Sequence, residues 1–122
     1  MKIKFAIIGF GHIGRKHYNT LLGNAEAEVV AICDPYLEEE SIDGIPVFKD
    51  IEHMLISIPE IDVVNICTPN GLHAEQSIIC INDGKHVVVE KPMSLTKKDA
   101  ENVIFHALNK HVKIFCVMQN RY

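Results

Sequence analysis

A glycine-rich segment near the start of the chain has the residue types and spacing needed to hold a phosphate group. Its Gly-x-Gly-x-x-Gly pattern consists of Gly9, Phe10, Gly11, His12, Ile13 and Gly14. In such a loop the first glycine permits a tight turn, the second lets a pyrophosphate approach the backbone, and the third lets a helix pack closely on a strand. The helix that follows directs free N–H groups and its positive dipole end at the phosphates.

The surroundings of this glycine loop strengthen the interpretation, because glycine by itself is common in turns. An apolar, β-branched run at residues 3–8 precedes the loop and predicts a strand that is buried on both faces. A second apolar run at residues 27–33 ends in Asp34, about 20 residues past Gly14, where an acid that binds a ribose is expected. We therefore predict a dinucleotide-binding site, with a generic strand-to-helix turn as the alternative.

Asp34 also indicates which dinucleotide is bound. Its carboxylate is suited to accept hydrogen bonds from the ribose hydroxyls, whereas a 2′-phosphate there would meet a like charge. No Arg or Lys stands near Asp34 in the sequence to receive a phosphate. The expected cofactor is therefore NAD rather than NADP; the alternative is a turn aspartate that precedes Pro35.

Strands and helices alternate along the whole chain. The expected strands are residues 3–8, 27–33, 45–48, 63–67, 86–89 and 112–118. Helices are expected at residues 12–22 with Gly23 at the end, from an Asp50 cap to about residue 57, at residues 72–82, and after Thr96. This alternation predicts an α/β fold, a doubly wound parallel sheet in three layers with strand order 3-2-1-4-5-6. The segment at residues 35–41, which contains an acidic run, is expected to be a solvated turn or a short helix.

The last predicted helix has the most detailed sequence signals. Thr96 and Asp99 form a capping-box variant at its start. An apolar stripe for packing follows, made of Ala100, Val103, Ile104, Ala107 and Leu108.

Polar residues just past the carboxyl ends of parallel strands should meet at one edge of the sheet, where ligands bind. Besides the glycine loop and Asp34, these residues are Thr68, Pro69, Asn70, Glu90, Lys91, Pro92, Gln119, Asn120 and Arg121. We predict that this edge holds the cofactor.

Lys91 is the candidate catalytic residue at this edge. Pro92 restricts the lysine backbone toward extended geometry, and Glu90 is expected to orient the side chain. Beside a nicotinamide, the ammonium would hydrogen-bond a substrate hydroxyl and favour its alkoxide as hydride leaves. The alternative is an exposed lysine at the end of a strand.

The histidines and cysteines give weaker signals. His73, in the first turn of a predicted helix, is expected either to contact cofactor or substrate or to be packed at the helix N-terminus. The remaining histidines outside the glycine loop lack ligand spacing, and surface positions or helix packing are expected for His17, His53, His86, His106 and His111. The cysteines stand in or beside apolar segments and are expected to be buried free thiols rather than a metal or redox site, namely Cys33, Cys67, Cys80 and Cys116.

Bulk composition narrows the class of protein. The 122 residues suffice for one domain, and a hydrophobic fraction of 48% with 23% charged residues is ordinary for a globular protein. A formal net charge of −4 without a Lys/Arg cluster argues against nucleic acid as a partner. No apolar stretch approaches a membrane span, and the N-terminus lacks a signal-peptide cleavage pattern, so a cytoplasmic protein is expected.

Taken together, the motifs resemble the glucose–fructose oxidoreductase/inositol dehydrogenase (Gfo/Idh/MocA) family over nearly the whole chain. The resemblance is carried by the glycine loop, by Thr68-Pro69-Asn70-Gly71-Leu72-His73 and above all by Glu90-Lys91-Pro92. It implies an NAD(P)-dependent sugar or polyol oxidoreductase in which the glycine loop binds the pyrophosphate and Asp34 the ribose. It further implies that residues 68–70 line the nicotinamide side and that Lys91 contacts substrate and nicotinamide.

The resemblance also implies what this chain lacks. Family members carry a second α+β domain with the substrate pocket, and no part of this sequence corresponds to it. We therefore interpret residues 1–122 as one dinucleotide-binding domain of a longer, homo-oligomeric enzyme, able to bind cofactor but not to turn over substrate. The ending Gln119-Asn120-Arg121-Tyr122 is similar to the branch that acts on UDP-N-acetyl-aminoglucuronates.

A stand-alone NAD(H)-sensing Rossmann module is the alternative function from another class. Such a sensor needs the glycine loop and Asp34 but has no use for a lysine aimed at the nicotinamide. Glu90-Lys91-Pro92 together with Thr68-Pro69-Asn70 therefore favours the dehydrogenase.

Overall fold

The computed structural model describes residues 2–90 and 96–117, and they form one sheet with flanking helices. The strands are β1 (Ile3–Ile8), β2 (Ala27–Cys33), β3 (Ser41–Ile42), β4 (Ile45–Phe48), β5 (Val63–Ile66), β6 (His86–Glu90) and β7 (Ile114–Val117). The helices are α1 (His12–Leu22), α2 (Ile51–Ser57), α3 (His73–Asn82) and α4 (Lys97–Lys110). A single 3-10 turn, Asn70–Leu72, precedes α3.

The strand order of the sheet is β3-β4-β2-β1-β5-β6-β7. All neighbours pair in parallel except β3 and β4, which are antiparallel. The predicted order 3-2-1-4-5-6 is confirmed, since β4, β2, β1, β5, β6 and β7 follow it. The carboxyl ends of β1, β2, β4, β5 and β6 consequently lie along the edge where the polar residues were expected to meet.

The two faces of the sheet are covered by different helices. In β1, Ile7 packs in a cluster with Tyr18 of α1, whereas its neighbours Ala6 and Ile8 pack with residues of α2, α3 and α4. Because successive side chains of a strand point to opposite faces, α1 lies on one face and the other three helices lie on the other. The predicted three-layer α/β/α fold is therefore confirmed.

The edge strand β3 is the element that the sequence interpretation missed. The segment at residues 35–41 starts with a turn at Pro35 and Tyr36, one of its two predicted forms, and contains no helix. Its last residue begins β3, which pairs with β4 through a two-residue turn. At the turn, Asp43 and Gly44 have φ angles of 53° and 81°, in the left-handed region. Asp-Gly between two apolar residues, here Ile42 and Ile45, is a strong hairpin signal, so this turn was readable from the sequence.

Tyr18 connects α1 to this hairpin. Its hydroxyl donates a hydrogen bond of 2.6 Å to Asp43 Oδ2, and its ring packs edge-on against Phe10 with the centroids 5.5 Å apart. The hydrogen bond to Asp43, then burial, then the nearby negative charge raise the pKa of Tyr18 from 10.0 to about 12.

We expect Tyr18→Phe to remove a pH-dependent part of the stability. The fold favours the neutral phenol, so this contribution is complete below pH 10 and is lost as the pH rises through about 12. The variant should be about 1 kcal/mol less stable than the wild type at neutral pH, and the difference should shrink in that alkaline window. Urea unfolding of the wild type and the variant across the pH range measures the difference in their free energies of unfolding. A difference that stays constant from neutral pH through this alkaline window would contradict the prediction.

The helix starts were predicted well, but the packing of α4 was not. Asp50 Oδ2 accepts from the His53 backbone N–H at 2.9 Å, and Thr96 Oγ1 accepts from that of Asp99 at 3.0 Å. On α4, however, only Val103 and Ala107 of the apolar stripe are buried; Ile104 is 47% exposed and Leu108 71% exposed. The prediction that the whole stripe is packed was therefore wrong. The helix α4 packs mainly against α3, so only the side chains that face α3 and the sheet are covered.

The cysteine prediction is confirmed in part. All four thiols are free; Cys33 and Cys80 are buried and Cys67 is partly buried. Burial is the main cause that raises the pKa of each of these three to about 12, so they stay protonated at neutral pH. Cys116 is exposed, and the prediction is wrong there because it lies on β7, the last strand of the described sheet.

Candidate functional site

The glycine loop begins where β1 ends, between the carboxyl ends of β2 and β5. The backbone N–H of Gly9 donates to the Cys33 carbonyl at 2.8 Å, and that of Cys67 donates to the Ile8 carbonyl at 2.8 Å. Gly9 has a φ of 89°, which a residue with a side chain rarely adopts. These contacts seat the turn firmly against both neighbouring strands.

Gly14 and Gly11 are glycines for different reasons. A Cβ at Gly14 would lie 1.9 Å from the Gly9 carbonyl oxygen, so α1 can pack against the turn only if this residue has no side chain. A Cβ at Gly11 would meet no atom within 4 Å in the described part of the chain. The close approach at Gly14 serves the fold, whereas the open space before Gly11 is available to a ligand.

The start of α1 faces this open space. Gly11 is the N-cap residue, and no described side chain caps this end of the helix. The first N–H groups of a helix lack intrahelical partners, and together with the helix dipole they attract anions. His12 and Ile13 stand in this first turn, as the pattern predicts, so their backbone N–H groups lie where a pyrophosphate is expected.

Asp34 ties the end of β2 to the glycine loop. Its Oδ2 accepts a hydrogen bond of 2.8 Å from the Phe10 backbone N–H, and its Oδ1 accepts one of 2.9 Å from that of Tyr36. The Phe10 ring is buried, with the Arg15 guanidinium 4.6 Å from its centroid, so the loop presents backbone rather than the Phe10 side chain. The glycine loop and the acid at the end of β2, the two parts of the predicted dinucleotide motif, are therefore in direct contact.

A cavity of about 520 Å³ opens in front of these groups. Five predicted site residues line it, namely Gly9, Gly11, Asp34, Thr68 and Pro69. Lys49, which follows β4, lines it as well, and its Nζ donates to the Leu37 carbonyl at 2.5 Å. The expectation that no basic residue lies near Asp34 is therefore wrong, because the parallel pairing of β2 with β4 brings Lys49 to the same edge.

The turn after β5 is held by α3. The His73 ring is 1% exposed, and its Nε2 donates to the Thr68 carbonyl at 2.6 Å. The Thr68 hydroxyl donates to Gln76 Oε1. Burial leaves the His73 ring little surface for a ligand, so the structure favours the alternative of a histidine packed at the helix N-terminus, where it supports the Thr68-Pro69 turn. Asn70 lies in the following 3-10 turn.

Glu90, the last residue of β6, has a partner that the sequence did not indicate. Its Oε2 accepts a hydrogen bond of 2.8 Å from His17 Nε2, and His17 Nδ1 accepts one of 2.9 Å from the Asn65 side-chain amide. His17 was expected at the surface or in ordinary helix packing; instead it pairs with a carboxylate 73 positions away. No local sequence pattern signals a contact over that separation.

Five of the residues predicted at this edge lie outside the described residues, namely Lys91, Pro92, Gln119, Asn120 and Arg121. Their roles stay predictions. Within residues 2–90 and 96–117, no group of three or more His, Cys, Asp or Glu side chains is placed to hold a metal ion. None of the helices described there is both long enough and apolar enough to cross a membrane.

Comparison with known proteins agrees with this geometry. The family model described as oxidoreductase family, NAD-binding Rossmann fold (Gfo/Idh/MocA) matches residues 3–118. The chain is 38% identical over 125 aligned positions to scyllo-inositol 2-dehydrogenase (NADP(+)) IolW of Bacillus subtilis, covering 98% of this chain and 34% of that protein. It is 30% identical to myo-inositol 2-dehydrogenase of Thermotoga maritima, and this match covers 98% of this chain and 37% of that protein.

Solved structures show the same likeness. The WlbA dehydrogenase of Bordetella pertussis, determined in complex with NADH and UDP-GlcNAcA, superposes with a TM-score of 0.88 at 32% identity. The match covers 95% of this chain and 35% of that one. The chain thus spans about a third of the length of these relatives. The resemblance seen in the motifs is confirmed, and the chain belongs to the Gfo/Idh/MocA oxidoreductase family, of which it forms the dinucleotide-binding Rossmann domain.

Proposed function

We propose that this chain supplies the NAD site of a dehydrogenase that transfers hydride between a nicotinamide cofactor and a sugar, polyol or nucleotide-sugar hydroxyl or ketone. The observation that carries the proposal is the hydrogen bond of 2.8 Å from the Phe10 backbone to Asp34 Oδ2. This contact supports the proposal because it joins Asp34, the proposed ribose acceptor, to the glycine loop on the lining of one cavity, and a dinucleotide site needs the two side by side. The inositol dehydrogenases among the relatives support the substrate class.

The residues of the site fit such a cofactor. The space before Gly11 leaves room for a pyrophosphate to reach the first N–H groups of α1. Each Asp34 oxygen accepts one backbone hydrogen bond, and a carboxylate has about four acceptor positions, so capacity remains for both ribose hydroxyls. A single carboxylate can therefore hold the loop and the ribose together.

The preference for NAD over NADP follows from the charge on Asp34, which would repel a 2′-phosphate. Lys49 on the same cavity is the opposing feature, since an ammonium there is a suitable phosphate partner. One relative carries NADP(+) in its name. We infer that NAD is preferred, because the Asp34 carboxylate is bonded to the glycine loop itself, whereas Lys49 follows β4 and its ammonium is directed to the Leu37 carbonyl.

When bound, the nicotinamide would supply the hydride acceptor or donor. The proposed part of this chain in that chemistry falls mainly to Lys91, whose ammonium would donate a hydrogen bond to the substrate oxygen and stabilise its negative charge as the C–H bond breaks. Thr68 and Pro69 would border the nicotinamide side of the cavity, where His73 and Gln76 hold their turn in place.

The proposed setting is a longer enzyme. We infer that residues 1–122 are the cofactor domain of a cytoplasmic, homo-oligomeric dehydrogenase whose substrate pocket is built by other parts of the protein. The finding that relatives are about three times as long supports this inference. On this proposal the chain binds cofactor without turning over substrate.

Calorimetric titration of the chain with NAD⁺, NADH and NADP⁺ tests the proposal. NAD⁺ and NADH should bind saturably at one site, and NADP⁺ should bind at least about tenfold more weakly because its 2′-phosphate meets the Asp34 carboxylate. Tighter binding of NADP⁺ would show that Lys49 rather than Asp34 sets the preference. Failure of all three dinucleotides to bind would contradict the proposed cofactor site.

A further inference from the structure

The charged side chains on the cofactor cavity are uneven in sign. Three carboxylates line it, those of Asp34, Asp50 and Glu52. Lys49 is the only lysine or arginine among the described residues of that lining. An anionic group that enters this part of the cavity therefore has one cationic side chain to meet among the described residues.

The three carboxylates have evident places in the fold. Asp34 accepts from the backbone of the glycine loop, and Asp50 accepts from the His53 backbone N–H as the N-cap of α2. Glu52 lies in the first turn of that helix, where a negative charge is favourable. Lys49 has no comparable place, because it lies between β4 and α2, outside both elements.

The contact that Lys49 makes is an exposed one. The residue is exposed, and its Nζ donates to the Leu37 carbonyl at 2.5 Å. A single hydrogen bond that water can replace contributes modestly to stability, and the lysine stem is flexible. A phosphate is a stronger partner for an ammonium than a neutral carbonyl is. The ammonium can therefore leave Leu37 at little cost when a phosphate enters the cavity.

The Leu37 carbonyl belongs to the turn that begins at Asp34. The Leu37 backbone N–H donates to the Asp34 carbonyl at 3.3 Å, and the Tyr36 N–H donates to Asp34 Oδ1 at 2.9 Å. The Asp34 backbone N–H in turn donates to the carbonyl of Phe48, the residue before Lys49, at 2.8 Å. The ammonium and the proposed ribose-binding carboxylate are thus held on the same short turn, on the lining of the same cavity.

We propose that Lys49 is a specificity-determining residue, whose ammonium leaves the Leu37 carbonyl to pair with the 2′-phosphate of NADP⁺ and so gives the site a second, weaker cofactor. This inference rests on the proposed function, because it requires a dinucleotide at the site. The preference for NAD is then a difference between two effects. Asp34 repels the 2′-phosphate, and Lys49 limits how far NADP⁺ is excluded.

The test compares the Kd values of NAD⁺ and NADP⁺ for the 122-residue chain by calorimetric titration. The two cofactors differ only in the 2′-phosphate, so their ratio isolates its contacts. Lys49→Met should weaken NADP⁺ binding by about tenfold or more, as expected for a lost hydrogen bond between charged groups, and NAD⁺ binding far less. Lys49→Arg keeps the positive charge and should retain most of the NADP⁺ affinity.

Lys113→Met is the matched control. Lys113 is also exposed and its substitution changes the net charge equally, but it lies just before the first residue of β7 and thus at the opposite end of the sheet from the cofactor edge. This variant should bind both cofactors as the wild type does. Added salt should shrink the effect of Lys49→Met on NADP⁺ binding, because salt screens an exposed pair of charges.

Each outcome has a distinct meaning. A loss of NADP⁺ affinity in Lys49→Met that exceeds the loss of NAD⁺ affinity, and that Lys49→Arg largely avoids, supports the inference. A parallel loss for both cofactors would overturn it, since Lys49 would then act only by holding the turn after β2. Unchanged NADP⁺ affinity in Lys49→Met would overturn it as well.

The wild type separates this inference from the proposed function. If it binds NAD⁺ but shows no measurable binding of NADP⁺, the inference about Lys49 fails while the NAD site stands. If neither dinucleotide binds to the wild type, the proposed function itself fails.

Discussion

Gly14→Ala is expected to cost the fold about 3 kcal/mol or more, a large share of the total stability of a small domain. The added Cβ would lie 1.9 Å from the carbonyl oxygen of Gly9 and 2.9 Å from its carbonyl carbon. Both are backbone atoms, so no side-chain rotation can relieve the contact. The start of α1 would have to move away from the turn after β1. Urea denaturation measures the loss of stability, and titration with NADH measures how the displaced start of α1 affects cofactor binding.

Gly11→Ala is the matched control for this prediction. Its Cβ points into space that is free of described atoms, and the φ of −82° is accessible to any residue. This variant should unfold at the wild-type urea concentration but bind NADH at least about tenfold more weakly, because the methyl group occupies the path of the pyrophosphate. A stable Gly14→Ala variant, or a Gly11→Ala variant that binds NADH normally, would contradict the assignment of one glycine to the fold and the other to the ligand.

Asp34→Ala should weaken NAD⁺ binding by about tenfold to a hundredfold, as expected for the loss of hydrogen bonds to a charged group. The substitution removes the ribose acceptor and also the acceptor for the Phe10 and Tyr36 backbone N–H groups. Since the repelling charge disappears as well, NADP⁺ should lose less affinity, and the preference for NAD⁺ should narrow. Parallel titrations of the wild type and the variant with NAD⁺ and NADP⁺ measure the ratio of the two affinities.

Two further variants sharpen this experiment. Asp34→Asn keeps an oxygen acceptor but removes the charge, so it should retain more of the loop contact and still accept NADP⁺ better than the wild type does. Asp62→Asn removes a carboxylate that bonds to the Lys4 backbone N–H, just before β5 and thus at the opposite end of the sheet. Its NAD⁺ affinity should equal that of the wild type. An unchanged cofactor preference in Asp34→Ala would remove Asp34 from the ribose site.

The main architecture was predictable because it depends on short-range patterns and on simple connection rules. The apolar runs, the glycine spacing and the caps at Asp50 and Thr96 are local signals, and α1 has the predicted bounds. Right-handed crossovers between parallel strands then leave few possible strand orders. The positions of Gly9, Gly11 and Asp34 at one edge follow from that order alone.

The details of packing needed the tertiary structure. How much of Ile104, Leu108 and Cys116 is covered depends on which elements lie beside α4 and β7, and the helical period does not contain that information. The Asp43-Gly44 hairpin is different, since its signal was local and was overlooked.

The sequence by itself therefore determined the dinucleotide-binding fold, its glycine loop and the acid at the end of the second long strand. Only the tertiary structure placed Lys49 on the cavity beside Asp34 and joined His17 to Glu90. The physical reason is the range of the interactions. Backbone preferences and hydrophobic periodicity act over a few residues, whereas side chains from α1, β5 and β6 meet only after the sheet has assembled.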